Sequence, residues 1–242
     1  MLAAVVLPLI VSCAAISGDL YYSAEPIEAW VVDEKTGKPL EGVVVVAHWQ
    51  LMGGSAGGRV PVGSMMVLEA TTDAKGRFSF PAWGPLQNTS DGHLDHEDPR
   101  FYFFKPGYHR LGLSNHYGIR RSEKSSKRKS EWSGKTIKLL PFPGTMEEYV
   151  SHVNSWSNSI ASNLASYPAM SDHRCMAAKA PLIAEAFDRE SRNLIARGYR
   201  KERFSFWLES LAGCGVAIPQ RGGIKNDVEA MGDRLHDPDS CG

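Results

Sequence analysis

Three segments in the first half of the chain each join a turn to residues that favour β-strands, and together they restrict the fold more than any other feature. Residues 36–46 place Thr-Gly-Lys-Pro before a run of valines. Residues 72–80 place Asp-Ala-Lys-Gly before the alternating Arg-Phe-Ser-Phe. Residues 101–108 place Lys-Pro-Gly-Tyr after an aromatic strand. Short strands separated by Gly- and Pro-containing turns predict an all-β domain.

These segments resemble the carboxypeptidase regulatory-like domain over residues 25–141. The resemblance implies a mainly β fold with an α appendix: a Greek-key transthyretin-like β-sandwich followed by a small helical segment. Such domains usually serve as accessory or binding modules, so the resemblance implies a non-catalytic protein. The sequence also lacks two signatures of related enzymes. No His is followed three residues later by Glu, as in zinc carboxypeptidases, and the Arg-Pro-x-His-x-His segment of intradiol dioxygenases is missing.

Two segments of this region carry clear strand patterns. Ile27, Ala29 and Val31 alternate with their neighbours, which predicts a strand with one buried face. Residues 43–49 are apolar at nearly every position, which predicts a central strand covered on both sides. The Gly-rich residues 53–63 are interpreted as a flexible connection.

The composition changes after residue 141, and residues 142–215 are predicted to form the helical appendix. Thr145 and Glu148 have the spacing of a capping box, in which each side chain binds the backbone N–H of the other residue. The apolar stripe in residues 149–164 predicts a first helix. Pro181 favours the first position of a second helix. Apolar residues from position 204 onward predict a third, shorter one.

The N-terminal residues predict export and lipidation. The apolar run of residues 2–11 is shorter than the ~20 residues that a membrane-spanning helix needs, and it fits the core of a secretory signal. Residues 10–13, Ile-Val-Ser-Cys, resemble a bacterial lipobox, which implies lipid on Cys13 and a membrane-anchored envelope protein that faces the periplasm. Residues 1–4 carry no Lys or Arg, so either the true start lies upstream or the signal is weak. A buried N-terminal strand is the alternative interpretation of the apolar run. The predicted division of the chain is a signal peptide at 1–12, a tether at 13–24, the sandwich at 25–141, the helical appendix at 142–215 and a mobile tail at 216–242.

Lipidation of Cys13 would leave three cysteines in an oxidising compartment, where disulfides form. Cys175 and Cys214 flank a helical segment and are the preferred pair. A bond between Cys214 and Cys241 is the alternative, because sequence alone does not fix connectivity.

A metal site is a second hypothesis, based on the acidic and imidazole side chains of residues 91–98. His93, Asp95 and His96 are the candidate ligands, because imidazole and carboxylate suit Zn²⁺. Their spacing matches neither an EF-hand nor the His-Glu-x-x-His helix. A solvated loop is the plainer interpretation.

A basic run provides a third candidate site. Its six cations are Arg120, Arg121, Lys124, Lys127, Arg128 and Lys129. Such a patch could contact an anionic component of the cell envelope, although a charge run is more often a solvated loop. The run has no interleaved aromatic residue to stack on a base, and the formal net charge of the chain is zero. Nucleic acid is therefore not an expected partner.

The leading hypothesis is a non-catalytic cell-envelope lipoprotein that uses a transthyretin-like β-sandwich for binding or scaffolding, with an envelope protein or anionic envelope component as partner. No cofactor is expected beyond the possible metal ion. The alternatives are a metal-dependent hydrolase with its site in residues 91–98 and a structural subunit of a secretion or adhesion assembly.

Overall fold

The computed structural model describes residues 21–55, 57–116, 126–164 and 179–204. Over these residues the chain is mainly β, with strands in three sheets and two α-helices. The strands are β1 (Tyr21–Ala24), β2 (Ile27–Asp33), β3 (Val44–Ser55), β4 (Gly58–Thr71), β5 (Arg77–Phe80), β6 (Trp83–Gln87), β7 (His93–Leu94), β8 (Arg100–Phe104), β9 (Leu111–Leu113), β10 (Lys127–Arg128) and β11 (Thr136–Leu139). The helices are α1 (Met146–Leu164) and α2 (Pro181–Ala196), and a 3₁₀ turn spans Lys201–Arg203.

The strands form the β-sandwich that the sequence predicts. On one side β2 lies between β5 and β11, and β1 lies between β6 and β10. The opposite sheet has the order β4-β3-β8-β9, and β7 pairs with the C-terminal part of β3. Side chains of all three sheets meet in one apolar core. A mainly β sandwich followed by a small helical segment is therefore confirmed.

Strand β3 is buried on both faces, as its apolar run predicts. Val45, Ala47 and Trp49 face the interior of the sandwich. Val44 and Val46 face the opposite way and pack in a second apolar cluster with the two helices. We call the sandwich side of β3 its inner face and the helix side its outer face.

Helices α1 and α2 lie on this outer face and are fixed to it by specific contacts. The ring of Phe187 on α2 lies 4.0 Å, centroid to centroid, from that of Phe104 on β8. On α1, the Trp156 indole N–H donates to the Phe103 carbonyl at 3.1 Å. The Tyr149 hydroxyl accepts a hydrogen bond from the Gly107 N–H at 2.7 Å. The appendix is thus part of the packed structure.

The capping box at the start of α1 is confirmed. The Thr145 N–H donates to Glu148 Oε2 at 2.7 Å, and the Glu148 N–H donates to Thr145 Oγ1 at 3.3 Å. The second predicted helix also begins at Pro181 as expected. The third predicted helix lies almost wholly outside the described residues.

Two segments interpreted from the sequence as connections contain strand residues. The Gly-rich residues 53–63 belong to the β3–β4 hairpin, in which Gly53 pairs with Val60 and Gly54 with Arg59. Glycine fits there because a Cβ on Gly53 would lie 2.7 Å from Val62 Cγ1. The last residues of the predicted tether form β1, which pairs antiparallel with β6, so the described part of the sandwich includes residues from Tyr21 onward.

Candidate functional site

The outer face of the β4-β3-β8-β9 sheet changes from apolar to polar along β3. After two valines, the next positions on this face are His48 and Gln50, and both are buried. Ser64 lies opposite Gln50 on β4. Asp98 precedes β8, and Lys179 precedes α2. We call these five residues the polar cluster.

His48 has a neutral imidazole ring that is hydrogen-bonded to a serine. Its Nε2 atom lies 2.8 Å from Ser64 Oγ. Burial, with smaller contributions from the charges of Lys179 and Arg100, lowers the pKa of His48 to about 3. The ring is therefore uncharged at neutral pH. Its Nδ1 atom is buried and has no hydrogen-bond partner within the described ranges.

These contacts decide which ring nitrogen carries the proton. A buried N–H without an acceptor is rarer and more costly than a buried acceptor without a donor. We therefore assign the proton to Nε2 of His48, which then donates to Ser64 Oγ. In this tautomer the ring has no lone pair facing the serine, so it does not act as a base for it. The hydroxyl hydrogen of Ser64 is left for another acceptor.

Ser64 also lines an open pocket of about 230 Å³. Lys179 and the segment 87–90 form other parts of its wall, together with the apolar side chains of Leu51 and Met65. A mixed wall of this kind, apolar with a few placed polar groups, is typical of small-molecule sites. The pocket is therefore the candidate functional site.

The loop that forms part of the pocket wall is braced by its own hydrogen bonds. The Asn88 amide nitrogen donates to the Gly92 carbonyl at 2.6 Å, and its Oδ1 atom accepts from the Ser90 N–H at 3.1 Å. A Cβ on Gly92 would lie 2.5 Å from Val62 Cγ2, so glycine is needed for the loop to lie this close to the hairpin. The wall is thus fixed against the β3–β4 hairpin.

Lys179 is a largely buried cation. Its one hydrogen bond to a described residue is long, from Nζ to the Leu164 carbonyl at 3.4 Å. No carboxylate among the described residues lies within ion-pair distance of Nζ. Burial alone lowers its pKa. Buried ammonium groups are normally paired with an acid. Lys179 is unusual because it has no such partner among the described residues.

Glu69 fixes the start of α2 to the sheet. Its two carboxylate oxygens accept hydrogen bonds from the backbone N–H groups of Leu182 and Ile183, at 2.8 and 2.9 Å. These are orphan donors of the first helical turn, and Ala180 at the N-cap makes no side-chain bond. Burial raises the pKa of Glu69 to about 7, although the two N–H bonds oppose the shift. The contact positions Lys179, two residues before the helix.

The predicted metal ligands are not brought together. The Arg59 guanidinium lies 3.1 Å from His93 Nε2 and donates to Asp95 Oδ1 at 2.7 Å. Across the described ranges, no group of three His, Cys, Asp or Glu side chains is placed to hold a metal ion. The proposed set of His93, Asp95 and His96 therefore has no support from the geometry.

The same segment contains a buried acid, which the interpretation as a solvated loop does not anticipate. Asp98 is 1% exposed and accepts hydrogen bonds from the Asp95 N–H at 2.9 Å and from the Gln50 N–H at 3.5 Å. Burial raises its pKa to about 7. The Asp98 carboxylate thus joins the 95–98 turn to the backbone of β3.

The described half of the basic run is engaged within the protein. Lys127 and Lys129 both pair with Glu25, at 3.1 and 3.2 Å. Arg128 donates to the Leu94 carbonyl at 2.7 Å and lies over the Tyr22 ring, at 5.4 Å from its centroid. These contacts form because β10 pairs with β1, which brings the three basic side chains next to residues 22–25. The other three predicted members, Arg120, Arg121 and Lys124, lie outside the described residues.

Several other predictions also concern residues outside the described ranges. These are the lipidation of Cys13 and the disulfide between Cys175 and Cys214, with Cys241 as the alternative partner. In the part of the chain that the structure describes, neither α1 nor α2 has the length and apolarity to cross a membrane.

The sequence contains a serine motif that is known from hydrolases, but the structure around it differs from that of hydrolases. Residues 53–57 read Gly-Gly-Ser-Ala-Gly, which has the Gly-x-Ser-x-Gly spacing of a nucleophile elbow. An elbow requires a turn from a strand into a helix. Ser55 instead ends β3 at the tip of the hairpin and donates to the Gly58 carbonyl at 2.8 Å. The motif is therefore a hairpin tip.

Comparisons with known proteins leave the family of the chain open. No family model and no curated protein matches it. A 3-chlorocatechol 1,2-dioxygenase from Rhodococcus opacus matches at 14% identity over 52% of this chain and 62% of its own, with a TM-score of 0.30. A group B streptococcus pilus 2b backbone protein matches at 16% identity over 52% and 43%, with a TM-score of 0.26. A DUF3823 family protein from Bacteroides uniformis matches at 17% identity over 49% and 43%, with a TM-score of 0.21.

The chain spans less than two thirds of the length of each of these three structures. They include an enzyme and a pilus protein, and the similarity is too low to transfer either role. The function must therefore be argued from the residues of the polar cluster and the pocket.

Proposed function

We propose that this chain is a non-catalytic lipoprotein of the bacterial cell envelope that binds a small polar ligand in the pocket beside Ser64. The observation that supports binding is the pairing of Ser64 with His48 at 2.8 Å. With the ring proton on Nε2, the serine becomes a fixed hydrogen-bond donor on the pocket wall. A rigid scaffold with a polar wall is suited to recognition.

The proposed location rests on the sequence of residues 10–13. Lipid on Cys13 would hold the sandwich at the membrane surface. A single acyl chain binds membranes only marginally, but bacterial lipoprotein cysteines carry more than one, which makes the anchor stable.

The anchor is tested by intact mass of the protein from membrane and soluble fractions, with Cys13→Ala as the matched variant. The proposal predicts a diacylglyceryl-sized increment on a chain that begins at Cys13, and a loss of both the increment and the membrane fraction in Cys13→Ala. Masses that differ by no more than the Cys-to-Ala substitution, with equal distribution of the two proteins, would contradict it.

A serine hydrolase is the second candidate, because the Ser64–His48 distance equals that of a nucleophile and its base. Such a base needs a carboxylate or similar group to orient it, and Nδ1 of His48 has no such partner within the described ranges. A fluorophosphonate probe separates the two candidates. The binding proposal predicts no more labelling of the wild type than of Ser64→Ala, whereas labelling that requires Ser64 would favour the hydrolase.

A further inference from the structure

The pocket wall carries an unusual combination of groups: a largely buried ammonium and a serine hydroxyl whose hydrogen is free to donate. Lys179 makes one long bond, at 3.4 Å, to a carbonyl oxygen. Ser64 receives the ring proton of His48 in the assigned tautomer. Both residues line the same pocket. At these two residues the pocket wall therefore presents a cation and a hydroxyl donor.

The neighbouring side chains add to the positive charge on this wall of the pocket. Lys179 and Arg100 together act on His48 as positive charges. The two nearby acids are already engaged, because Glu69 accepts the N–H groups of α2 and Asp98 accepts those of Asp95 and Gln50. Within the described residues neither is paired with Lys179. A buried cation without a carboxylate partner is stabilised by an anion that enters from solvent.

The size of the pocket limits the ligand. The volume of the pocket is about 230 Å³. It is smaller than the ~300–1,000 Å³ of sites for drug-sized molecules. The Asn88 amide and the Ser90 hydroxyl are bound within the loop, so Thr89 supplies the hydroxyl of this wall that can exchange a hydrogen bond with a hydroxyl group of the ligand. A single sugar or an amino-acid-sized molecule fits these limits.

We propose that the pocket binds the oxyanion of a compact, hydroxyl-bearing molecule, with Lys179 as the counter-ion and Ser64 as a second donor. This inference rests on the proposed binding function and specifies its ligand. A carboxylate and a phosphate share the required chemistry. The experiment distinguishes them.

The test is a titration of the ¹⁵N-labelled full chain with D-glucuronate, inorganic phosphate and D-glucose at pH 7, followed through the amide resonances of Gly63, Ser64 and residues 88–90. Glucose is the matched neutral probe, because it differs from glucuronate only in having a hydroxymethyl group in place of the carboxylate. We expect at least one of the two anions to shift these resonances in a saturable way, and glucose to bind at least tenfold more weakly. Saturation by phosphate alone would indicate a phosphate-bearing ligand, and saturation by glucuronate alone a carboxylate.

Two variants and a control assign the binding to the named groups. Lys179→Met keeps the aliphatic stem and should weaken anion binding at least tenfold. Ser64→Ala removes one hydrogen bond and should weaken it about threefold to tenfold. Lys138→Met removes an exposed charge from β11, in another sheet, and should change nothing. Unfolding curves of each variant confirm that it is folded.

Three results would overturn the inference. These are the absence of any shift with tens of millimolar of either anion, equal binding of glucose and glucuronate, and unchanged binding by Lys179→Met. The second result would leave the pocket as a binding site for neutral molecules, so the proposed function would survive it. The mass of the Cys13 anchor tests the location of the protein independently.

Discussion

The two faces of β3 are equally buried but chemically different. On the inner face Val45, Ala47 and Trp49 are at most 1% exposed and entirely within the apolar core. On the outer face His48 and Gln50 are 0% and 2% exposed. The inner face needs only shape and apolarity, and it stabilises the sandwich. A buried polar face costs free energy unless each group is paired.

The buried polar atoms on the outer face are only partly satisfied by hydrogen bonds. Gln50 donates to the Asn163 carbonyl on α1 at 2.7 Å, whereas His48 Nδ1 and the Tyr102 hydroxyl have no partner within the described ranges. Trp49 Nε1 on the inner face also has no partner within the described ranges, so what distinguishes the outer face is its buried polar side chains and not the lack of pairing alone. In the proposed division, the inner face of the strand serves stability and the polar outer face serves recognition. The following predictions test that division.

The largest effect is expected in the apolar core that the inner face of β3 shares with the neighbouring strand β8. Phe103→Ala removes a ring that lies 6.0 Å from Phe78 and 6.2 Å from Phe101, centroid to centroid. Loss of a buried phenyl group costs about 3–5 kcal/mol, from lost transfer energy and the remaining cavity. Urea unfolding measures this change. A loss below about 1 kcal/mol would show that the inner face is not a tightly packed core.

The next effect is expected where the outer face holds α2. Glu69→Ala leaves the N–H groups of Leu182 and Ile183 buried without an acceptor, which costs about 2–4 kcal/mol. Hydrogen exchange of these two amides should accelerate more than that of the first turn of α1. Glu148→Ala removes an exposed cap from α1 and is the matched control. Its free energy of unfolding should fall by less than that of Glu69→Ala. Equal losses in the two variants would contradict the role of Glu69.

The free energy of unfolding of Glu69→Gln relative to wild type should depend on pH. Burial raises the pKa of Glu69 to about 7 in the folded protein, from 4.5. The folded state therefore holds the proton more tightly, and wild type loses stability as the pH rises from about 4.5 to 7. Gln cannot ionise, so the variant should gain about 1–3 kcal/mol relative to wild type between pH 4.5 and 8. A relative gain by wild type would mean that α2 holds the ionised carboxylate.

The smallest effect on stability is expected at the pocket. Lys179→Met replaces a largely buried, poorly bonded ammonium with an apolar side chain of similar length. The free energy of unfolding should be unchanged or higher by about 1 kcal/mol, because desolvation of the charge is removed. Thermal unfolding without ligand measures it. A loss above about 2 kcal/mol would assign Lys179 to the fold and not to the site.

The sequence predicts those parts of the molecule that depend on local patterns. The Thr145–Glu148 capping box, the start of α2 at Pro181 and the two buried faces of β3 all follow from residues close together in the chain. The Gly-rich hairpin is not predicted, because the glycines are required by the close approach of Val62. No local pattern contains that contact.

The candidate site depends on contacts between distant residues. Glu69 caps a helix that begins more than 100 residues later, and Ser64 reaches His48 across the hairpin. A weaker signal was present in the sequence: His48 and Glu69 are polar residues within apolar strand segments. Such residues indicate a buried polar group, although they do not identify its partner.

The most direct test of the account is the protonation of the His48 ring, measured by long-range ¹H–¹⁵N correlation between pH 4 and 8. The account predicts a neutral ring with the proton on Nε2 across this range, since its pKa lies near 3 and Nε2 faces Ser64. A proton on Nδ1, with the Nε2 lone pair directed at Ser64, would contradict it. In that state His48 could act as a base, and the pocket would have to be tested as a catalytic site.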